Sequence, residues 1–175
     1  MMTWPKQSEV LSGRSVYGNP KSRTPGVSSA KWEAENLVYV KAPFVMTFAG
    51  QKLTSGMKVH RHCAASLARI MDAIWAASGK DQKVIDHWGL SIYSGGHVFR
   101  LMRDGVALSM HSYGCAVDFD RARNDLFDRT PRFAEFPEVL KAFADEGWRW
   151  GGDWNGNGSS ADERRADGMH WQATA

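Results

Sequence analysis

Two histidines and an aspartate occur in two short segments at a spacing suited to metal binding. His111 and Asp118 lie in one segment, and His170 lies in a second segment near the C-terminus. Neutral imidazole and carboxylate groups are ligands of catalytic zinc, whose fourth position stays open for water. Asp167 precedes His170 by three residues, which is close enough to place a free carboxylate beside that water. Together the four residues predict a hydrolytic zinc centre.

The metal interpretation depends on the combination of these residues. A single histidine is usually a surface or satisfied core residue, and an aspartate after a strand is often a turn cap. If Gly114 turns the chain and residues 115–120 form a strand, Ala116, Asp118 and Asp120 share one face. The small Ala116 would then leave room for an ion beside Asp118.

The same residues carry a resemblance to a known family. The pattern H-x-x-G-x-A-x-D runs from His111 to Asp118, and an acid-x-x-His-Trp pattern follows at 167–171. Ser109 and the Trp-rich run 148–154 also match. The chain resembles, over about residues 37–172, the zinc peptidases that cut peptidoglycan stem peptides. These include D-Ala-D-Ala carboxypeptidases of the vancomycin-resistance type and L-Ala-D-Glu endopeptidases of phage endolysins.

The resemblance implies a fold, a cofactor and residue roles. The fold would be α+β, a small antiparallel sheet packed on a long helix, as in the hedgehog/DD-peptidase group. Zn²⁺ would be the cofactor and peptidoglycan stem peptides the partner. The implied roles are zinc ligand for His111, Asp118 and His170, general base for Asp167, and carbonyl or carboxylate binding for Arg100, with Arg103 as competitor. Ser109 and Asp120 would orient ligands, and either arginine or Asp120 could instead be a surface charge.

Hydrophobic periodicity places these residues on a framework of strands and helices. Short apolar runs at 37–40 and 44–48 predict strands. From about residue 60, apolar residues recur at steps of three and four, which predicts one long core helix before Gly79. Trp148 and Trp150 alternate with Arg149, so a strand would put both indoles on one face, either in the core or as a platform beside the cleft.

The turn-rich N-terminus, residues 1–30, predicts an extended arm, and residues 31–175 a single zinc peptidase domain. His60 and His62 are two apart at the start of the long helix, a poor spacing for a metal pair, and are expected to be solvated or capping residues.

Composition restricts the partners and the location. The chain has 175 residues and a net charge of +3. It has no Lys/Arg run of the kind that binds nucleic acid and no apolar run of the ~18 residues that a membrane span needs. The first 20 residues lack an apolar signal region, so we expect synthesis in a cytoplasm and access to the wall through holin-type release or as a virion component. We expect a monomer.

Several alternatives stay open. Cys115 could serve a cysteine peptidase, although a strand would turn it away from Asp118. The chain could also be a non-catalytic, metal-stabilised binding module, because fold alone does not settle function. The run from Asp153 to Gly158 imitates a calcium loop, but its twelfth position is Arg164 where a Glu is expected, so calcium binding is not predicted here. Within the peptidase class, the absent signal favours the L-Ala-D-Glu endopeptidase, with the D-Ala-D-Ala carboxypeptidase as the alternative.

Overall fold

Helices of very different length make up the α part of the fold. The computed structural model describes residues 3–103 and 105–175. The α-helices in these ranges are α1 (Gln7–Leu11), α2 (Ala30–Asn36), α3 (Arg61–Ala77), α4 (Gln82–Trp88) and α5 (Pro137–Asp145). Short 3₁₀ helices occur at Met110–Tyr113, Arg121–Arg123 and Arg132–Glu135. No helix in the described ranges has the length and apolar character needed to cross a membrane.

The strands form two sheets. They are β1 (Leu37–Val40), β2 (Thr47–Phe48), β3 (Gln51–Lys52), β4 (Met57–His60), β5 (Ile92–Gly95), β6 (Ala116–Phe119), β7 (Arg149–Trp150) and β8 (His170–Gln172). β1 and β4 pair as an antiparallel ribbon, and the other six form one sheet in the order β3-β2-β5-β6-β8-β7. In this sheet the β2–β5 pair is parallel, and the other four pairs of neighbouring strands are antiparallel.

The α+β class is confirmed, but the expected small antiparallel sheet on a long helix is wrong. The main sheet is six-stranded and mixed, and α3 packs instead against α5 and the β1–β4 ribbon. The reason lies in strand length. β2, β3 and β7 have two residues each, too few for a period-2 pattern to reveal them.

Helix α3 supplies one wall of the core, as the periodicity predicts. Its Cys63, Leu67, Ile70 and Ile74 are fully buried. His60 caps the helix, because its Nδ1 accepts a hydrogen bond from the backbone N–H of His62. The expectation of capping or solvated histidines is therefore met by a capping His60, whose ring is fully buried, and by an exposed His62.

The N-terminal segment packs into the same core. Val10 and Tyr17 are fully buried, and Trp4 is 8% exposed. The Tyr17 hydroxyl donates to the carbonyl of Ala173 at 2.7 Å. Residues 3–29 thus include a helix and core side chains, where the sequence suggested an extended arm, while the division of the chain at residue 30 stays a prediction.

Candidate active site

The pairing of β6 with β8 brings the two motifs together. In this antiparallel ladder, Asp118 lies directly opposite His170, so their side chains emerge on the same face of the sheet. β6 begins two residues after Gly114, so the first motif reaches Asp118 within one short strand. Residues far apart in the sequence therefore meet through backbone hydrogen bonds of the central sheet.

A 3₁₀ helix carries His111 to the same place. Ser109 caps this helix, its Oγ accepting from the backbone N–H of His111 at 3.4 Å. Gly114 ends the helix with φ +66°, and a Cβ at this position would lie 2.8 Å from the backbone nitrogen of His60. Glycine is thus required at this turn, for its backbone freedom and for the close approach of the neighbouring chain.

Three potential ligand atoms converge at this point. His111 Nε2 lies 3.1 Å from Asp118 Oδ1, and His170 Nδ1 lies 3.0 Å from the same oxygen. The two imidazole nitrogens are 3.1 Å apart. Both histidines are buried and Asp118 is half-buried. This is the one group of three such residues in the described ranges whose ligand atoms gather closely enough to hold an ion.

One nitrogen of each ring makes a hydrogen bond that shows which of the two ring nitrogens carries the proton. His111 Nδ1 lies 2.8 Å from the carbonyl of Gly96, which can only accept, so Nδ1 carries the proton. His170 Nε2 donates to Gln172 Oε1 at 3.0 Å. His111 Nε2 and His170 Nδ1 are then unprotonated and point at each other and at Asp118.

These residues fit zinc. Two lone pairs and a carboxylate oxygen at such short separations repel one another unless a cation or a proton lies among them. Neutral imidazoles that offer one nitrogen to the ion and donate the N–H of the other nitrogen to an oxygen are the ordinary arrangement of zinc-binding histidines. The donor set therefore suits the ion on the chemistry of its atoms and on the groups that orient them.

The electrostatics favour positive charge at the same point. Burial alone would raise the pKa of Asp118, but the charges and hydrogen bonds of His111 and His170 outweigh it and lower that pKa. Burial would lower the pKa of His170, but its hydrogen bond to Asp118 and the negative charges of Asp118 and Asp167 raise it. These pKa shifts favour a proton at His170, and a metal cation bound at this point would replace it.

Asp167 has the character expected of a general base. Its Oδ1 is buried and has no hydrogen-bond partner among the described residues. Burial raises the pKa of its carboxyl, and the charge of Asp118 adds to that effect against the opposing charges of His170 and His111. Its backbone approaches Gly151 so closely that a Cβ on Gly151 would collide with the Asp167 carbonyl. A raised pKa brings a carboxylate closer to the range in which it exchanges protons efficiently.

A cleft of about 330 Å³ opens over these residues. It is lined by Asp118, Asp167 and His170 and by the predicted Ser109, Arg100 and Arg103. The backbone of Arg100 is pinned by Ser112, whose Oγ accepts from its N–H at 3.0 Å and donates to its carbonyl at 2.8 Å. The structure thus gathers most of the predicted site residues around one cavity.

Two predicted residues lie elsewhere. Asp120 follows the end of β6 with φ +43°, which breaks the alternation that would have aligned it with Asp118. Its buried carboxylate pairs with Arg123, so the expectation that it shares a face with Asp118 is wrong. Trp150 donates to the carbonyl of Gly168 and stacks on Trp171. Of the two expected positions, in the core or as a platform beside the cleft, Trp150 has the position against the core.

The cysteine considered as a nucleophile and the calcium-like loop both make hydrogen bonds to backbone groups. Cys115 is fully buried, burial raises the pKa of its thiol, and its Sγ donates to the carbonyl of Met110. In the calcium-like loop, the carboxylate of Asp153 accepts backbone N–H groups from Gly156, Asn157 and Gly158. Cys115 in the core and Asp153 on an exposed loop are thus each hydrogen-bonded to backbone groups.

Sequence reasoning missed several residues of the cleft, namely Gln7, Arg121, Trp154, Arg165 and Gln172. Gln172 had a signal, because it lies two residues after His170 and therefore on the same face of a strand. Trp154, whose ring centroid is 5.8 Å from that of His170, ends the Trp-rich run 148–154 that carries part of the resemblance. Arg165, which donates to the carbonyl of Arg103, had no signal. Both lie on a loop whose path no local pattern fixes.

Comparison with known proteins supports the peptidase interpretation. Residues 103–173 match a family model described as D-alanyl-D-alanine carboxypeptidase. The matched segment, less than half of the chain, contains His111, Asp118, Asp167 and His170. It supports a hydrolase of the peptidase class. The chain matched no curated protein and no solved structure, so the hedgehog/DD-peptidase fold and the subfamily stay predictions.

Proposed function

We propose that the chain is a zinc-dependent peptidase that hydrolyses amide bonds in peptidoglycan stem peptides. The observation that carries the proposal is the convergence of His111 Nε2, Asp118 Oδ1 and His170 Nδ1 at 3.0–3.1 Å in the wall of a cleft. The family match over residues 103–173 supports the same reaction class.

The chain's own groups divide the work of hydrolysis. His111, Asp118 and His170 would hold Zn²⁺, which supplies a nucleophile by lowering the pKa of its water to about 7. Asp167 would accept a proton from the attacking water and pass it to the leaving amine. Arg100 offers its guanidinium to the carbonyl oxygen as negative charge develops there, which is where a fixed cation contributes most.

The cleft is suited to an acidic substrate. Four arginines line it, namely Arg100, Arg103, Arg165 and Arg121, the last of which also pairs with Asp125, against the two lining acids Asp118 and Asp167. A bound divalent ion would add to this positive charge. Peptidoglycan stem peptides carry several carboxylates, so the excess of cations favours them over neutral peptides.

Within this class we propose cleavage between L-Ala and D-Glu. A substrate cut at this internal bond places D-Glu and the residues after it in the cleft, and hence more than one carboxylate. Four arginines exceed what one terminal carboxylate needs.

The second candidate is removal of the terminal D-Ala from D-Ala-D-Ala. It is favoured by the match of residues 103–173 to a family described as D-alanyl-D-alanine carboxypeptidase. It requires one cation to bind the free terminal carboxylate, and Arg100 and Arg103, which line the cleft, are the residues proposed for that role.

Mass spectrometry of digested muropeptides separates the two candidates. Purified peptidoglycan is incubated with zinc-loaded protein, with His111→Ala as the inactive control. Internal cleavage leaves L-Ala on the glycan and releases a peptide that begins with D-Glu, whereas the carboxypeptidase releases free D-Ala. Unchanged muropeptide masses with zinc-loaded protein would contradict both.

A further inference from the structure

A glutamine from the N-terminal helix reaches the proposed zinc site through a second glutamine. Gln7 is the first residue of α1 and lines the cleft. Its Oε1 accepts a hydrogen bond from Gln172 Nε2 at 3.1 Å, and the same nitrogen donates to Thr174 Oγ1 at 2.5 Å. The other side of the Gln172 amide, its Oε1, accepts from His170 Nε2 at 3.0 Å. Gln7 is thus two hydrogen bonds away from a proposed ligand.

The orientation of the Gln172 amide decides which nitrogen of His170 is free. With Oε1 toward the ring, Nε2 of His170 carries the proton and Nδ1 keeps the lone pair that faces Asp118 and His111. If the amide turned over, its N–H would point at His170 Nε2 and would favour the opposite tautomer, with the proton on Nδ1. That tautomer has no lone pair for a metal at Nδ1.

Gln7 is one of two acceptors that hold the Gln172 amide with its Oε1 toward His170. The two N–H groups of Gln172 are both occupied, one by Gln7 and one by Thr174. The Gln7 amide and the Thr174 hydroxyl can each donate as well as accept, so the Gln172 amide can turn over only if both partners turn with it. Without Gln7, Thr174 alone opposes that turn.

We propose that Gln7 is a positioning residue that acts through Gln172 to keep His170 in its metal-binding tautomer. The inference rests on the proposed zinc site. It gives the N-terminal segment, which lies outside the matched residues 103–173, a part in building that site.

The side chain of Gln7 is not needed to anchor its own helix. Val10 of the same helix is fully buried, Trp4 Nε1 donates to the carbonyl of Glu146 at 2.8 Å, and the backbone of Pro5 accepts from Ala175 at 2.9 Å. Substitution of the half-buried Gln7 should therefore leave the segment in place. An effect on the metal would then come from the hydrogen bond.

The test measures zinc affinity by competition with a chelator of known affinity. Gln7→Leu removes the acceptor and should weaken zinc binding about tenfold, within the range known for groups that orient metal-binding histidines. Gln7→Glu keeps an acceptor that cannot donate and should bind zinc at least as tightly as the wild type. Ser8→Ala, at an exposed position of the same helix, is the matched control and should change nothing.

A double-mutant cycle separates the relay from a direct effect. In the Gln172→Leu background there is no amide to orient, so Gln7→Leu should weaken zinc binding by less than about twofold. Gln7→Glu in that background reports what its charge alone does to the ion. Thermal unfolding of each metal-free variant shows whether the fold is intact.

Two results would overturn the relay. One is an unchanged zinc affinity in Gln7→Leu, and the other is an equal loss with and without Gln172. A wild-type chain that binds no zinc would overturn the relay and the proposed function together. A chain that binds zinc with the expected cycle but leaves peptidoglycan intact would keep the relay and contradict only the proposed function.

Discussion

His170 Nδ1 and Asp118 Oδ1 lie 3.0 Å apart across the β6–β8 ladder, between residues that are paired directly in register. Backbone hydrogen bonds fix the separation of the two strands, so the side chains are held near each other before any ion binds. Such preorganisation reduces the entropy that a metal site loses on assembly. His111 supplies the third potential metal ligand, and it lies on a 3₁₀ helix that ends at Gly114.

Asp167 should be separable from the ligands by substitution. Asp167→Asn keeps the shape of the side chain but removes the proton acceptor. It should retain about one zinc per chain, because three ligands remain, and lose roughly 10²–10⁴ in turnover. Elemental analysis and turnover on purified sacculi measure the two effects. His170→Ala is the contrasting variant and should lose both zinc and activity, and an Asp167→Asn protein without zinc would make Asp167 a ligand.

Cys115 should be dispensable for catalysis. Its thiol is fully buried, and burial raises its pKa, so the nucleophilic thiolate is disfavoured. Cys115→Ala should keep most of the peptidase activity and lose about 1 kcal/mol of stability, the usual cost of a small core truncation. Activity assays before and after chelation test this. Loss of activity in Cys115→Ala with zinc still bound would favour a cysteine peptidase.

Stability should fall as the pH drops, partly because of His60. Burial lowers its pKa to about 4, with further lowering from the charges of His62 and Arg61. The unfolded chain binds a proton at His60 below about pH 6.5 and the folded chain does not until about pH 4, so this stability is present above pH 6.5 and is lost as the pH falls through that window. The loss from pH 7 to pH 5 should be about 2 kcal/mol.

A matched pair of variants isolates the His60 contribution. His60→Gln should reduce the stability difference between pH 7 and pH 5, as measured by denaturant unfolding, beyond any equal loss at both pH values from the helix cap. The neighbouring His62 is the contrasting variant: its charge contributes to the lowered pKa of His60, so His62→Gln should shrink the difference by less than His60→Gln does. An unchanged difference in His60→Gln would show that its ring titrates normally in the folded protein.

Gly114→Ala should disturb the turn that follows His111. The alanine would occupy a left-handed conformation and place its Cβ 2.8 Å from the backbone nitrogen of His60. We expect a loss of about 1–3 kcal/mol in stability, visible as a lower melting temperature. Gly50 is a suitable control, because its φ is +78° and a Cβ there meets nothing within 4 Å. Equal losses at both positions would mean that the close contact with His60 adds nothing.

The local parts of this structure could be predicted from the sequence. The apolar steps of α3 give its buried face, and the spacing from His111 to Asp118, with Asp167 and His170 downstream, gives the residues that the structure gathers at the site. These signals are contained in short stretches with strong periodicity or distinctive residue types.

The other parts of the structure depend on contacts between residues far apart in the sequence, which no short stretch of sequence predicts. Two-residue strands such as β2 and β7 exist because neighbouring strands hold them. Asp120 leaves the strand pattern through a left-handed φ. Gln7 and Arg165 enter the cleft through the path of a terminal segment and a loop, neither of which has a local signature.

Zinc titration of the metal-free enzyme tests the central claim most directly. The protein is stripped with a chelator, and zinc is returned in substoichiometric steps while hydrolysis of purified peptidoglycan is followed. Activity should be absent without metal, rise in proportion to added zinc and stop rising at one zinc per chain, with no recovery in His111→Ala. Hydrolysis by the stripped protein, or zinc binding without any hydrolysis, would contradict the account.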